Sequence, residues 1–157
     1  MMKKVISILS VFLVVLMVSG CGEEQKEFTR KCTMTQNDVA QGYKLESVYT
    51  IYGKGDIVNK VTSVETVTSD SNDILNYFET NLKSTYDQYN QTYGGYTNNV
   101  INKDGKVVSE TTIDYTTMNL TKYVQDNSVM KNFVNDDNKL LVDGLITIYQ
   151  QTGAICE

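Results

Sequence analysis

Three cysteines carry the clearest chemistry in this chain of 157 residues. Cys21 follows Val18-Ser19-Gly20, so small side chains precede a thiol. Upstream, Lys3 and Lys4 precede an apolar run over residues 5–18 that is interrupted only by Ser7 and Ser10. A charged start, an apolar centre and a small-residue cleavage site make a secretory signal. A cysteine directly after the site makes it a lipobox, where the thiol is acylated and the chain is cut before it. The apolar run is too short for a membrane span, which needs roughly 20 residues. The sequence therefore predicts a signal peptide over 1–20, a lipid-anchored tether over 21–26 and a single domain over 27–157. Two acyl chains, such as palmitate, on a glyceryl thioether would hold the protein on a bilayer, where one chain binds only marginally.

Cys32 and Cys156 then stand at the two ends of the domain. An exported compartment permits disulfides, and a bridge between them would close nearly the whole domain into one loop. Two unrelated thiols are the alternative.

The tyrosines are the next candidates. There are eleven, and Tyr86, Tyr89 and Tyr93 recur at helical spacing. A tyrosine has an apolar body and a polar tip, which suits a core margin or a recognition surface. These three are the candidate ligand surface. Two acidic groupings are weaker candidates. Asn102-Lys103-Asp104-Gly105 with Glu110 lacks the acid count of a calcium loop and reads as a hairpin turn. Asp136-Asp137 with Asp143 reads as a solvated loop. No cofactor and no metal site is expected.

Composition excludes several chemistries. There is no histidine, which removes Ser-His-Asp and Cys-His catalysis and histidine metal sites. No serine or threonine stands in a motif with a base. The chain has 14 basic and 19 acidic residues, and loss of Lys3 and Lys4 with the signal makes the mature protein more acidic still. Such a surface does not favour nucleic acid or anionic lipid. Abundant Asn, Tyr and Lys with a single arginine, Arg30, suit an AT-rich genome and a Gram-positive host.

The elements that must position these residues follow from periodicity. Glu27 to Thr35 forms a strand with Phe28, Cys32 and Met34 inward. Tyr43 to Tyr52 alternates, with Tyr43, Leu45, Ser47, Tyr49 and Ile51 on one face. Gly53-Lys54-Gly55-Asp56 turns into a Val/Thr-rich strand, Ile57 to Thr68. Asp70 or Ser71 caps a long helix with Leu75, Phe78, Leu82, Tyr86, Tyr89 and Tyr93 as one stripe, ended by Gly94-Gly95. Tyr96 to Asn102 and Val107 to Tyr115 form a hairpin around Asp104-Gly105. Thr117 caps a short helix to Gln125, and Leu140 to Gln151 is a last helix that Gly144 weakens by about 1 kcal/mol. The expected architecture is α+β: an antiparallel sheet of about five strands packed on one long helix, with short C-terminal helices. Along the stripe, Leu75, Phe78 and Leu82 are expected to be buried, with Phe78→Ala costing roughly 3–5 kcal/mol, and the tyrosine end half-exposed.

The chain from Gly42 to about Asp126 resembles the small YehR-type bacterial lipoproteins. The resemblance rests on Tyr-Thr-Ile-Tyr-Gly-Lys-Gly-Asp at 49–56, the strand to Thr68 and the helix ending in Tyr93-Gly94-Gly95. It continues through Lys103 to Glu110, Ile113-Asp114-Tyr115 and Leu120. It implies an exported α+β lipoprotein of unknown function and supplies no catalytic residue. The expected function is a non-enzymatic, membrane-anchored extracytoplasmic module that binds a small ligand, an envelope component or a protein. A carboxylate-dependent hydrolase and a structural accessory of an envelope complex are the alternatives. The expected partners are the bilayer, through acylated Cys21, and an unknown ligand or envelope protein, with no nucleic acid.

Overall fold

In the computed structural model, residues 25–157 are described. Cys21 and the expected signal peptide and anchor lie outside them. Strands β1 (Glu27–Asp38), β2 (Tyr43–Lys54) and β3 (Ile57–Ser69) form an antiparallel meander. Helix α1 (Asn72–Tyr93) crosses to a second hairpin, β4 (Tyr96–Lys103) and β5 (Lys106–Asp114). Helix α2 (Leu120–Asp126), a 3-10 turn (Ser128–Phe133) and helix α3 (Val142–Gln151) lead to a two-residue strand, β6 (Ile155–Cys156). The sheet runs β4-β5-β3-β2-β1-β6, antiparallel at every pairing. This is the expected α+β architecture. Its sixth strand, β6, is short enough to carry no periodic signal of its own.

Local chemistry explains the boundaries. The Ser71 hydroxyl accepts from the backbone N–H of Ile74 and caps α1, while Asp73 adds a negative charge to the first turn. The helix ends at Gly94 and Gly95, both at positive φ. A Cβ on Gly95 would come within 2.6 Å of the Asp114 carbonyl oxygen, so the close approach of chain to chain also requires glycine here. The second hairpin turns at Asp104 and Gly105, again at positive φ, as its Asp-Gly pair predicts.

Two expected boundaries shift. Asn119 caps α2 in place of Thr117, its side-chain oxygen accepting from Lys122 N–H at 3.0 Å. Leu140 and Leu141 are extended bridge residues against Val134 and Ile57, so α3 begins at Val142. Leu140 is wholly buried there, and pairing its backbone with a strand satisfies groups that a helix start would leave open. Gly144 has a packing role. A Cβ at this position would lie 2.7 Å from Phe133 Cβ. Gly144→Ala is therefore expected to destabilise by about 1–2 kcal/mol, overpacking outweighing a propensity gain of about 1 kcal/mol. A thermal melt checks the sign.

One face of the sheet is covered, and its rungs differ in character. Leu45, Val67 and Val107 stand side by side across β2, β3 and β5 and form one apolar cluster with Leu75. Ile51, Val61, Ile113 and Tyr96 form the corresponding rung of a second, larger cluster with Leu140 and Leu145. Between them lie two polar rungs, Ser47–Glu65–Ser109 and Tyr49–Ser63–Thr111–Asn98. Asn98 accepts from Ser109 and Thr111, each at 2.9 Å.

The stripe of α1 follows the expected grade at its two ends, with Leu75 buried and Tyr89 exposed, and departs from it at Phe78 and Leu82. Leu75 is buried, but Phe78 and Leu82 are half-buried, like Tyr86 and Tyr93. Helix α1 packs chiefly on β4, at the edge of the sheet, so much of the stripe overhangs rather than enters the core. A loss of about 2 kcal/mol is therefore expected for Phe78→Ala, below that of a fully buried phenylalanine.

Candidate functional site

The polar rungs place a carboxylate under the helices. Strand β3 alternates Val61, Ser63, Glu65, Val67 on its covered face, so Glu65 points away from open solvent. Its two oxygens accept from different elements. Tyr86 of α1 donates its hydroxyl at 2.8 Å, and Tyr49 of β2 donates at 3.4 Å. Tyr149 of α3 stacks on Tyr49, with ring centroids 4.4 Å apart and planes 16° from parallel. Glu65 thus sits in a seam between α1 and α3, with the sheet as floor. Glu65, Tyr49, Tyr86 and Tyr149 all keep part of their surface in water.

Two further features belong to the seam. Glu65, half-buried, makes no ion pair among the described residues. Ser47, directly opposite Glu65 across β2 and β3, is 1% exposed. Its hydroxyl is buried without a hydrogen bond of good geometry, its side-chain neighbour being the Tyr49 hydroxyl.

The phenols are held neutral. Burial, then the Glu65 charge, pushes the Tyr86 hydroxyl far above its ordinary range. Burial does the same for Tyr149 and raises Tyr49. At neutral pH these groups are hydrogen-bond donors and acceptors, never anionic nucleophiles.

The expected ligand surface divides. Tyr86 belongs to the seam. Tyr89 and Tyr93 turn instead toward an aromatic cluster: Tyr89 lies 5.6 Å from Tyr96 between centroids, and Tyr93 meets Tyr123 edge-on at 5.1 Å. Tyr93 also donates to Asp126 at 3.2 Å. Glu65 is the residue that sequence reasoning passed over. Its signal was present in the β3 alternation, which puts a charge between Ser63 and Val67 on the face that Val61 and Val67 bury.

The other candidates resolve simply. Cys32 and Cys156 form a disulfide between neighbouring strands β1 and β6. Asp104 is in a turn, and Asp136, Asp137 and Asp143 are exposed on the C-terminal segment. No group of three or more metal-ligating side chains occurs among the described residues, and no helix among them is long and apolar enough to cross a membrane.

Fold and seam together define an α+β domain with one covered sheet face and a polar band through its core. The same overall fold occurs in a solved structure, "NMR structure of the protein from Streptococcus pneumoniae TIGR4", at a TM-score of 0.50 and 14% identity, over 100% of this chain and 98% of that one. No family model matches the chain. It is 32% identical over 118 residues to the uncharacterized lipoprotein Lmo0207 of Listeria monocytogenes, covering 74% of this chain and 71% of that protein. The chain belongs to the family of that small bacterial lipoprotein.

Proposed function

We propose that this is an exported lipoprotein, held on the outer side of the cytoplasmic membrane through acylated Cys21, that binds a small ligand in the Glu65 seam without chemical conversion. The observation that carries the reading is the seam itself: a half-buried carboxylate between two phenol donors, with no ion pair among the described residues, beside the buried hydroxyl of Ser47. The hydrogen-bond partners of Glu65 are phenols held neutral, which suits binding better than proton transfer at neutral pH. The lipobox order at Val18 to Cys21 and the lipoprotein relative support the anchor. The motifs shared with YehR-type lipoproteins support a place in that group, and the residue usage supports a Gram-positive host.

Two experiments test this reading. Cys21→Ala is expected to abolish incorporation of a fatty-acid probe and to leave the precursor uncut; equal labelling of the variant would sink the anchor. For the site, small charged and neutral compounds titrated into the protein are expected to shift NMR signals of Tyr49, Tyr86 and Tyr149 and to be recovered unchanged. Turnover of a bound compound, or binding confined to other surfaces, would overturn the reading.

A further inference from the structure

We infer that the end of the sheet carrying the β2–β3 turn is a membrane-docking face, and that a cavity in it takes the phosphate of an anionic lipid headgroup; the inference rests on reading Cys21 as acylated. The fold limits where the anchor can be. Gln25 lies against the β2–β3 turn, where a Cβ on Gly55 would come within 2.9 Å of its side chain. The carbonyl of Lys26 accepts from Gly55 N–H at 2.9 Å. Cys21 is four residues before Gln25, a length of chain that reaches at most about 14 Å. A glyceryl thioether sits at the base of the headgroup layer, which is about 5–8 Å deep. The turn is then held within roughly 6–9 Å of the bilayer surface, about one Debye length at physiological salt. Strand β2 has 12 residues, so the β1–β2 turn at its other end is about 35–40 Å away and clear of the lipid while the domain stands on this end.

The cavity lies at that same end. Its volume is about 480 Å³, and it sits between the β2–β3 turn and the 138–140 segment. Lys54 and Lys139 line it, with the amides of Asn59 and Asn138 and the hydroxyl of Thr116. No carboxylate lines it among the described residues, although the chain carries 19 acidic residues against 14 basic ones. Neither Lys54 nor Lys139 makes an ion pair among the described residues. Two ammonium groups beside amide and hydroxyl donors suit the oxygens of a phosphate, since charge-assisted hydrogen bonds are the strong ones. Around the cavity, Lys26 and Lys60 are offset by Glu27, Asp56 and Asp114, so the attraction is local to Lys54 and Lys139. Val58, Leu120 and Leu140 give the cavity an apolar floor. That floor suits the glyceryl and first acyl carbons of a lipid and offers nothing to free phosphate.

The test places the mature, acylated protein in lipid nanodiscs and reads its backbone amides by NMR. With a nitroxide-labelled headgroup in phosphatidylcholine discs, the amides of Gly55, Asn59 and Lys139 are expected to lose most of their intensity. Those of Val39, Gly42 and Gly105 are expected to keep theirs. Replacing half of the phosphatidylcholine with phosphatidylglycerol is expected to shift Asn59 and Asn138, and Lys54→Gln/Lys139→Gln to cut that shift at least about threefold. Both lysines are exposed and free of ion pairs among the described residues, so the double variant keeps the fold. Broadening spread evenly over the domain, or centred on the open sheet face or the β1–β2 turn, would overturn the docking face. No shift with phosphatidylglycerol, or one undiminished in the double variant, would overturn the headgroup site. Equal shifts with inorganic phosphate in phosphatidylcholine discs would make it a free-phosphate site and overturn the lipid assignment. Mass spectrometry of the mature protein separates the two readings. An unmodified Cys21 sinks the anchor, whereas acylated protein that fails these tests leaves the anchor standing and sinks the docking face.

Discussion

Reduction of the Cys32–Cys156 disulfide is expected to lower the stability of the domain by about 4–5 kcal/mol. The bridge joins residues 124 positions apart, so it closes nearly the whole described chain. Chain-entropy arguments assign about 4.7 kcal/mol to a loop of 100 residues, with the growth per residue slow beyond that. The bridge also holds β6 against β1, where Lys31 and Glu157 exchange two backbone hydrogen bonds. Without it, the two-residue strand has little to keep it paired, and α3, which leads directly into it, loses its tie to the sheet. For a domain of this size the melting temperature is expected to fall by roughly 10–20 °C. Thermal melts of oxidised and reduced protein, and of Cys32→Ala/Cys156→Ala, measure it. A shift of only a degree or two would show that the bridge constrains little. Two alkylatable thiols in native, unreduced protein would remove it from the account.

The second large effect is alkaline unfolding. Burial raises the hydroxyls of Tyr86, Tyr115 and Tyr149 far above the ordinary tyrosine range, and raises Tyr49, Tyr96 and Tyr123 as well. The folded pKa lies above the unfolded one, so the folded state keeps protons that the unfolded chain releases. The stabilisation is fully present below pH about 10 and is lost as pH rises above it. Counting Tyr86, Tyr96, Tyr115 and Tyr149, four extra bound protons give a slope of about −5.5 kcal/mol per pH unit. The other two, Tyr49 and Tyr123, are only half-buried and are discounted for screening. A domain of about 5–15 kcal/mol is then expected to unfold between about pH 11 and 13. Absorbance of tyrosinate should show a gradual first phase, followed by a cooperative one that coincides with loss of circular dichroism. A single gradual titration of all eleven tyrosines while the fold persists would contradict the burial of these hydroxyls. Tyr86→Phe should leave the first phase unchanged and shorten the second by one group.

Much of the architecture is legible along the chain because it is set by neighbours in sequence. The alternation of Tyr43 to Ile51 reads directly onto the covered face. Ser71 and Gly94-Gly95 bound α1 through local hydrogen bonds and backbone freedom. Asp104-Gly105 turns the second hairpin. The pairing of Cys32 with Cys156 is favoured by their positions at the two domain ends and by the export that the lipobox predicts. The lipobox is likewise a local pattern, needing no fold to be read.

Pairing and layering across the sheet were decided by the tertiary structure. That Ser47, Glu65 and Ser109 form one rung depends on the registers of β2, β3 and β5, set by turns and hydrophobic faces acting together. The division of the Tyr86, Tyr89, Tyr93 stripe, one toward Glu65 and two toward Tyr96 and Tyr123, depends on where α1 crosses the edge of the sheet. Gly144 reads as a helix weakness until Phe133 is seen against it. Strand β6 has two residues and exists because β1 offers an edge and the disulfide holds it there. Most of the elements are readable along the chain, since they rest on local periodicity and short motifs. The tertiary structure alone decided the seam, because a carboxylate becomes a site only when residues distant in sequence enclose it and leave it without a counter-charge.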